Sequence, residues 1–362
     1  MANPSNDVYV FGAGATKALG GPLSGEFLSL GFYALCAQDL VKVPADSFYK
    51  VARLIDTLYG SNVESEVREA ASKRIGIRPD LPDGITIEEL LTFVELGIEN
   101  HDSWMDFDVY KLALQDFIFE TLEWSIFPGR YGHNGIVTVT TSGPCKENPN
   151  VYDLFITSRI DRCARNCFIS FNYEDFLDRA LWFPQPPVCA DYSMPFMHVE
   201  WPQYDRMLRE GFSPERADLL KLHGSLNWAK CKKCGFQLFP YTTYRRIFSL
   251  PCVQCSASLS PVLVPPTLRQ KLKEYGIGHL WDKADQAISA ADNITIIGYS
   301  FPDADIEAKW LFKRAVAKGG KKPSLTIVDP CERVRKKILE FFGKTVGHTV
   351  LVENFETYVE NS

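Results

Sequence analysis

Short, unbroken apolar runs and longer stretches of helical spacing divide this chain into two kinds of sequence. In the second half the two alternate. Residues 167–171, 219–223, 261–264, 294–298, 324–328 and 349–352 read as strands, and residues 8–11 near the start read as another. Between them, residues 173–181, 271–291, 304–317 and 331–342 carry helical spacing. Strands that are apolar at every position and separated by helices belong to a parallel sheet covered on both faces. The predicted fold class is α/β, a Rossmann-like doubly wound parallel sheet.

Residues 23–40 and 47–124 follow a different pattern. Apolar positions recur there at helical spacing, with few β-branched runs to interrupt them. Segments 46–55, 86–96 and 109–126 are predicted helices, and Thr86 and Glu89 stand in capping-box spacing. Residues 131–150 are rich in Gly, Thr, Asn and Pro and read as a loop, with one short strand at 136–139. The expected organisation is a sheet domain from residues 1–30 and 150–362, with residues 31–149 as a helical insertion.

Composition narrows the function. With 362 residues, 46% of them hydrophobic, the chain has enough apolar side chains for a sizeable core. A net charge of −6 argues against an electrostatic nucleic-acid binder. The basic clusters at 318–322 and 333–337 read as a loop and a solvated helix face. Residues 1–7 are polar and lack the apolar core of a signal peptide, and no apolar run is long enough to span a bilayer. The expectation is a cytoplasmic protein with no membrane or nucleic-acid partner. Its ten cysteines then read as metal ligands or buried thiols rather than disulfides.

Candidate chemistry gathers at the predicted strand ends. Gly12-Ala13-Gly14, Asn172, His223-Gly224-Ser225, Gly298-Tyr299-Ser300 and Asp329 follow one strand after another. Ligands of such sheets sit outside the carboxyl ends of the strands. The glycine turn leaves backbone N–H groups at a helix N-terminus, which suits a pyrophosphate, and Thr16 is placed to cap that helix. The third glycine of a dinucleotide fingerprint is missing, so a plain strand–helix turn remains the competing reading. Cys231-Lys232-Lys233-Cys234 and Cys252-Val253-Gln254-Cys255 form two knuckles separated by 17 residues. Four thiolates at this spacing close a tetrahedral structural zinc site. Cys231, Cys234, Cys252 and Cys255 are therefore the predicted zinc ligands of a small ribbon over residues 228–258, with reduced surface thiols as the alternative. The other six cysteines show no ligand spacing.

In their order, these pieces resemble the sirtuin family, and more closely the sirtuin-like proteins of bacterial antiviral defence. The carrying segments are Phe11-Gly12-Ala13-Gly14-Ala15-Thr16, Ser170-Phe171-Asn172-Tyr173-Glu174-Asp175, Lys221-Leu222-His223-Gly224-Ser225-Leu226-Asn227-Trp228, Val264-Pro265-Pro266-Thr267 and Ile297-Gly298-Tyr299-Ser300-Phe301-Pro302-Asp303-Ala304-Asp305. The resemblance covers residues 7–30 and about 150–352. It implies cleavage of NAD between nicotinamide and ribose. Gly12, Ala13, Gly14, Ala15 and Thr16 would cradle the pyrophosphate. Gly298, Ser300 and Asp329 would line the adenosine side, with Tyr299, Asp305 and Asn172 also at the cofactor. Asn172 and His223 would be the catalytic pair. Asn172 reads equally as an N-cap for the helix at 173–181, His223 as a core histidine, and Asp303 and Asp305 as charges at a helix N-terminus.

Three departures separate the chain from deacylating sirtuins. No Arg follows the glycine turn in Pro22-Leu23-Ser24-Gly25-Glu26-Phe27. Glu174 stands where those enzymes carry Asp in Asn-x-Asp. Val264-Pro265-Pro266 occupies the place of the segment that binds an acyl-lysine peptide as an added strand, and two prolines remove two backbone donors. The expected function is NAD glycohydrolase, releasing nicotinamide and ADP-ribose, as a latent antiviral-defence effector. Its trigger would be homo-oligomerisation or a protein partner at the helical region. The alternatives are an NAD-dependent protein deacylase or ADP-ribosyltransferase, and a non-catalytic NAD or ADP-ribose sensor.

Overall fold

β1 (Asn6–Phe11) is the strand on which the main sheet is laid. Its Val8, Tyr9, Val10 and Phe11 are all buried. The pleat sends them to alternate faces. Val8 and Val10 enter one core cluster, while Tyr9 and Phe11 meet aromatic rings on the other side. The structure, a computed structural model, describes residues 4–37, 45–126, 149–158, 160, 164–181, 188–198, 215–239, 250–264 and 276–360. Contacts divide the chain into two units, Met1–Ala18 with Thr141–Thr242 and Arg246–Ser362, and Leu19–Thr140 with Thr243–Arg245.

After β1 comes the short α1 (Ala13–Thr16), the last element of the first unit before the chain enters the second. The second unit holds α2 (Phe27–Cys36), α3 (Ala45–Tyr59), α4 (Val63–Lys73), α5 (Ile87–Glu99) and α6 (Phe107–Ile126). Aromatic rings fill its core: Phe117 of α6 lies 5.1 Å from Phe32 and 4.5 Å from Phe48, centroid to centroid. Thr86 caps α5 as its spacing predicts, accepting from the Glu89 N–H at 3.2 Å.

The first unit resumes with α7 (Val151–Ser158), β2 (Arg165–Ser170), α8 (Phe176–Ala180), β3 (Val188–Asp191) and β4 (Met197–His198). Then come β5 (Glu215–Lys221), β6 (Gly224–Cys231), β7 (Gly235–Leu238) and β8 (Leu259–Leu263). The chain closes with α9 (Gly278–Ala290), β9 (Asn293–Ile297), α10 (Ile306–Lys318), β10 (Ser324–Val328), α11 (Glu332–Phe342), β11 (Thr349–Val352) and α12 (Phe355–Glu360).

Seven strands form the main sheet in the order β11-β10-β9-β1-β2-β5-β3, and every pairing in it is parallel. Leu280, Trp281, Ala284 and Ile288 of α9 and Leu311, Phe312 and Ala315 of α10 share the cluster of Val8 and Val10. Phe155 of α7 and Phe355 of α12 pack on Phe11 from the opposite face. This is the doubly wound sheet expected from the pattern. No described helix is long and apolar enough to cross a membrane.

The strand read at 261–264 does not join this sheet. β8 pairs antiparallel with β6 in a second sheet of order β4-β7-β6-β8. An apolar run marks a strand but not its partner, and the pairing here brings β8 against Gly224 too closely for any side chain. Gly224 has φ +79°, and a Cβ there would lie 2.0 Å from the Val262 carbonyl oxygen. The helix predicted from residue 173 begins only at Phe176. The predicted strand at 136–139, the segment 241–248 between the knuckles and Pro265-Pro266-Thr267 lie outside the described residues.

Candidate active site and thiol cluster

Register aligns the strand ends. Phe11 pairs with Ser170 and Ile297, Ser170 with Lys221, and Ile297 with Val328. Gly12, Gly298 and Asp329 are thus the first residues past three adjacent strands. Asn172 and His223 stand two positions past the next two. All five predicted ends share one edge of the sheet.

At the middle of this edge the two glycine turns interlock. Gly298 has φ +61°, and a Cβ there would lie 2.1 Å from the Ala15 nitrogen. A Cβ on Gly12 would lie 2.6 Å from the Tyr299 Cα. The interlock uses the backbone donors that the sequence leaves free. Gly12 N–H donates to Ile297 O at 3.1 Å, Gly14 N–H to Gly298 O at 2.9 Å, and Ala15 N–H to Gly12 O at 3.0 Å. Three amides of the expected phosphate cradle therefore bond within the protein. Thr16 ends α1 instead of capping a helix. Beside the interlock lies a cleft of about 210 Å³ lined by Gly14, Ala15, Gly298, Val328, Pro330 and Phe355 among others. Asp329 borders the same edge; its carboxylate accepts from Cys331 N–H at 2.9 Å, and burial pushes its carboxyl up. Ser300, two residues past Gly298, is half-buried, and Ala13 is half-buried in the glycine turn.

Asn172 is buried in a polar network. Its Nδ2 donates to Gly12 O at 3.0 Å, Thr16 Oγ1 at 3.1 Å and Glu174 Oε1 at 3.1 Å. Thr16 Oγ1 in turn donates to Glu174 Oε1 at 3.0 Å and lies 3.2 Å from the Tyr152 hydroxyl. Glu174 Oε2 accepts from Phe176 N–H at 2.7 Å, so Glu174, and not Asn172, supplies the acceptor at the start of α8. Burial pushes the Glu174 carboxyl up, and the nearby Lys221 ammonium pulls it back. Lys221 is itself only 1% exposed; it donates to Glu174 O at 2.5 Å and pairs with Asp178 at 3.1 Å.

His223 is 6% exposed, with its ring edge-on to Phe171 at 5.1 Å. Its Nε2 is buried without a hydrogen-bond partner among the described residues and stands 3.5 Å from Asp305 Oδ2. Asp305 caps α10 by accepting from Ala308 N–H at 3.3 Å, and takes the Tyr299 hydroxyl at 2.5 Å. Burial, then the Asp305 carboxylate, hold the Tyr299 phenol protonated. The Tyr299 ring stacks on Phe171 at 4.1 Å. Asp303 is exposed and paired with Lys309 and Lys337. Sequence reasoning did not identify Tyr152, Lys221 or Asp178 as parts of this edge. No motif marks Tyr152, and the buried lysine has no local signal.

Apart from this edge, the Sγ atoms of Cys231, Cys234, Cys252 and Cys255 all lie within 4.8 Å of one another. A tetrahedral zinc with sulfur at about 2.3 Å has edges of roughly 3.8 Å, so the four fit such an ion. Burial acts to raise the Cys252 thiol, but the N–H groups of Gln254 and Cys255 and the Gln237 amide bring it down to about 6. Bonding to Cys255, then burial, push Cys234 up to about 12. Metal binding requires thiolates, so a bound cation would release the protons these thiols carry.

The family model of the SIR2-like domain matches residues 166–350, just over half of the chain. No curated protein matches it. Among solved structures, a Sir2 homologue in complex with NAD is 18% identical, with a TM-score of 0.33 over 62% of this chain and 64% of that one. A Sir2 homologue mutant in complex with ADP-ribose is 18% identical, with a TM-score of 0.34 over 62% and 66%. A triple mutant of Sir2 homologues in complex with 2′-O-acetyl ADP-ribose is 15% identical, with a TM-score of 0.38 over 98% and 90%. The chain spans slightly less than two thirds of the first two.

Proposed function

This chain belongs to the SIR2-like family, and from that premise we propose that it is an NAD glycohydrolase. The reaction takes NAD and water to nicotinamide, ADP-ribose and a proton. The bond between the nicotinamide nitrogen and C1′ breaks, and its electron pair stays on the nitrogen of the departing neutral ring. No general acid is needed. The transition state has oxocarbenium character, as in glycoside hydrolysis. Asn172 aligns the water and His223 takes its proton. The cleft beside Gly14 and Gly298 receives the adenosine half. The observation that carries this reading is the common edge that brings Asn172 and His223 beside the interlocked glycine turns.

Hydrolysis is favoured over deacylation by Val264. Its N–H donates to His223 O at 2.9 Å, and its carbonyl accepts from the Tyr173 hydroxyl at 3.3 Å. The N–H is not left to pair with a peptide added as a strand, and the carbonyl already carries one bond. The four cysteines hold a structural zinc, which fixes the small sheet and takes no part in the reaction. We read the protein as a latent effector of antiviral defence, since continuous NAD hydrolysis would harm its own cell; oligomerisation or a partner at the helical unit releases it. The test is nicotinamide release from NAD without any acyl peptide. Wild type should release it once activated, and Asn172→Ala and His223→Ala should not. Turnover that strictly requires an acyl-lysine peptide would replace this reading with deacylation.

A further inference from the structure

The contacts of Asn172 are one-sided. Every described hydrogen bond of its side chain runs through Nδ2. Two of the partners, the Gly12 carbonyl and the Glu174 carboxylate, can only accept. A flipped amide would set Oδ1 against two oxygens, so the nitrogen must face inward. Proton bookkeeping extends the argument. Thr16 has one hydroxyl proton, and it goes to Glu174. Toward Tyr152 and Asn172, Thr16 must therefore accept. Apart from the bond to the Gly12 carbonyl, these bonds run toward Glu174, whose second oxygen is taken by Phe176 N–H.

We propose that Glu174 is a positioning residue that holds the Asn172 amide with Oδ1 turned toward the reaction, so that Asn172 acts there as an acceptor for a hydroxylic nucleophile. This rests on the reading of Asn172 as a group that meets substrate. Glu174 reaches both Thr16 and Asn172 with one oxygen while serving Phe176 with the other. Aspartate is one methylene shorter and cannot span all three. Glutamine presents an amide NH₂ to one of these donors whichever way it is turned. In Glu174→Gln the Asn172 amide loses its fixed sense, while the shorter carboxylate of Glu174→Asp, still an acceptor only, holds it in part.

The experiment pairs a spectroscopic readout with a kinetic one. The Asn172 NH₂ pair is identified in side-chain amide NMR spectra by its loss in Asn172→Asp, and its hydrogen exchange is measured in wild type, Glu174→Gln and Glu174→Asp. Slow exchange in wild type, accelerated at least about tenfold in Glu174→Gln, supports the orientation, as buried hydrogen-bonded protons exchange only on opening. In nicotinamide release, Glu174→Gln should lower kcat about 10- to 100-fold with KM for NAD within roughly threefold, and Glu174→Asp should recover part of the loss. Rapid exchange in wild type overturns the orientation with no variant needed, even if Glu174→Gln does not fold. Unchanged kcat in a folded Glu174→Gln overturns the positioning role. Absence of any nicotinamide release by wild type would overturn the hydrolase reading instead, and the exchange data would still decide the orientation.

Discussion

The four thiols of the small sheet and the four polar side chains around Asn172 are each gathered within a few ångströms, but they are satisfied in opposite ways. The thiols are alike. Once ionised they are all acceptors, and nothing among them can neutralise the others. The Asn172 cluster is complementary. Asn172 donates to Thr16 and to Glu174, Thr16 donates to Glu174, the Tyr152 hydroxyl lies against Thr16, and Lys221 sits behind Glu174 with the opposite charge. In the zinc reading one cluster takes a guest, while the other is hydrogen-bonded within the chain.

Removing the guest should break the comparison most visibly. Purified protein should carry about one zinc per chain, and chelation should unfold the small sheet. Structural zinc supplies on the order of 10 kcal/mol in isolated fingers. Metal analysis with a melting curve checks this; a metal-free protein with an unchanged melting temperature would sink the zinc assignment. Next in size is the charge behind the complete cluster. Lys221→Met leaves Asp178 buried without its ammonium partner and should cost about 3 kcal/mol in urea unfolding. If stability is unchanged, the network does not depend on Lys221.

His223→Ala should lower nicotinamide release at least about 100-fold, near 2.7 kcal/mol in the barrier, with little change in melting. The smallest effect separates the two clusters by pH. Burial raises the Glu174 carboxyl in the folded state, so the folded chain holds that proton more tightly than the unfolded chain does. The stability this provides is full below the ordinary carboxylate range and is lost as pH rises through the raised value. Relative to Glu174→Gln, wild type should therefore lose stability as pH rises out of that range. A difference that grows in wild type's favour over the same interval would contradict the sign.

The contrast also explains what the sequence makes legible. Two knuckles 17 residues apart are local, so Cys231, Cys234, Cys252 and Cys255 can be read by spacing. The sheet can be read as well, because each strand is continuously apolar and its polar end follows at once. What escapes is pairing over distance. Tyr152 meets Thr16 across 136 residues, and its helix carries no motif. The run at 261–264 has the pattern of a sheet strand, yet it pairs with β6, across a close approach of Gly224 to Val262 that no side chain would allow. The glycine turn shows the same limit. Its shape is visible in the sequence, but not the Ile297 and Gly298 carbonyls that take its N–H groups.

The place of β1 sets a waiting time. It is the middle strand of seven, yet it is made before both of its partners, β2 and β9. At roughly 5–20 residues per second, the ribosome needs on the order of 10–30 seconds to reach β2 from the end of β1. During that interval Val8, Tyr9, Val10 and Phe11 form a sticky segment with both edges open. During synthesis, the strand that later anchors the sheet is the one that most needs a chaperone's cover.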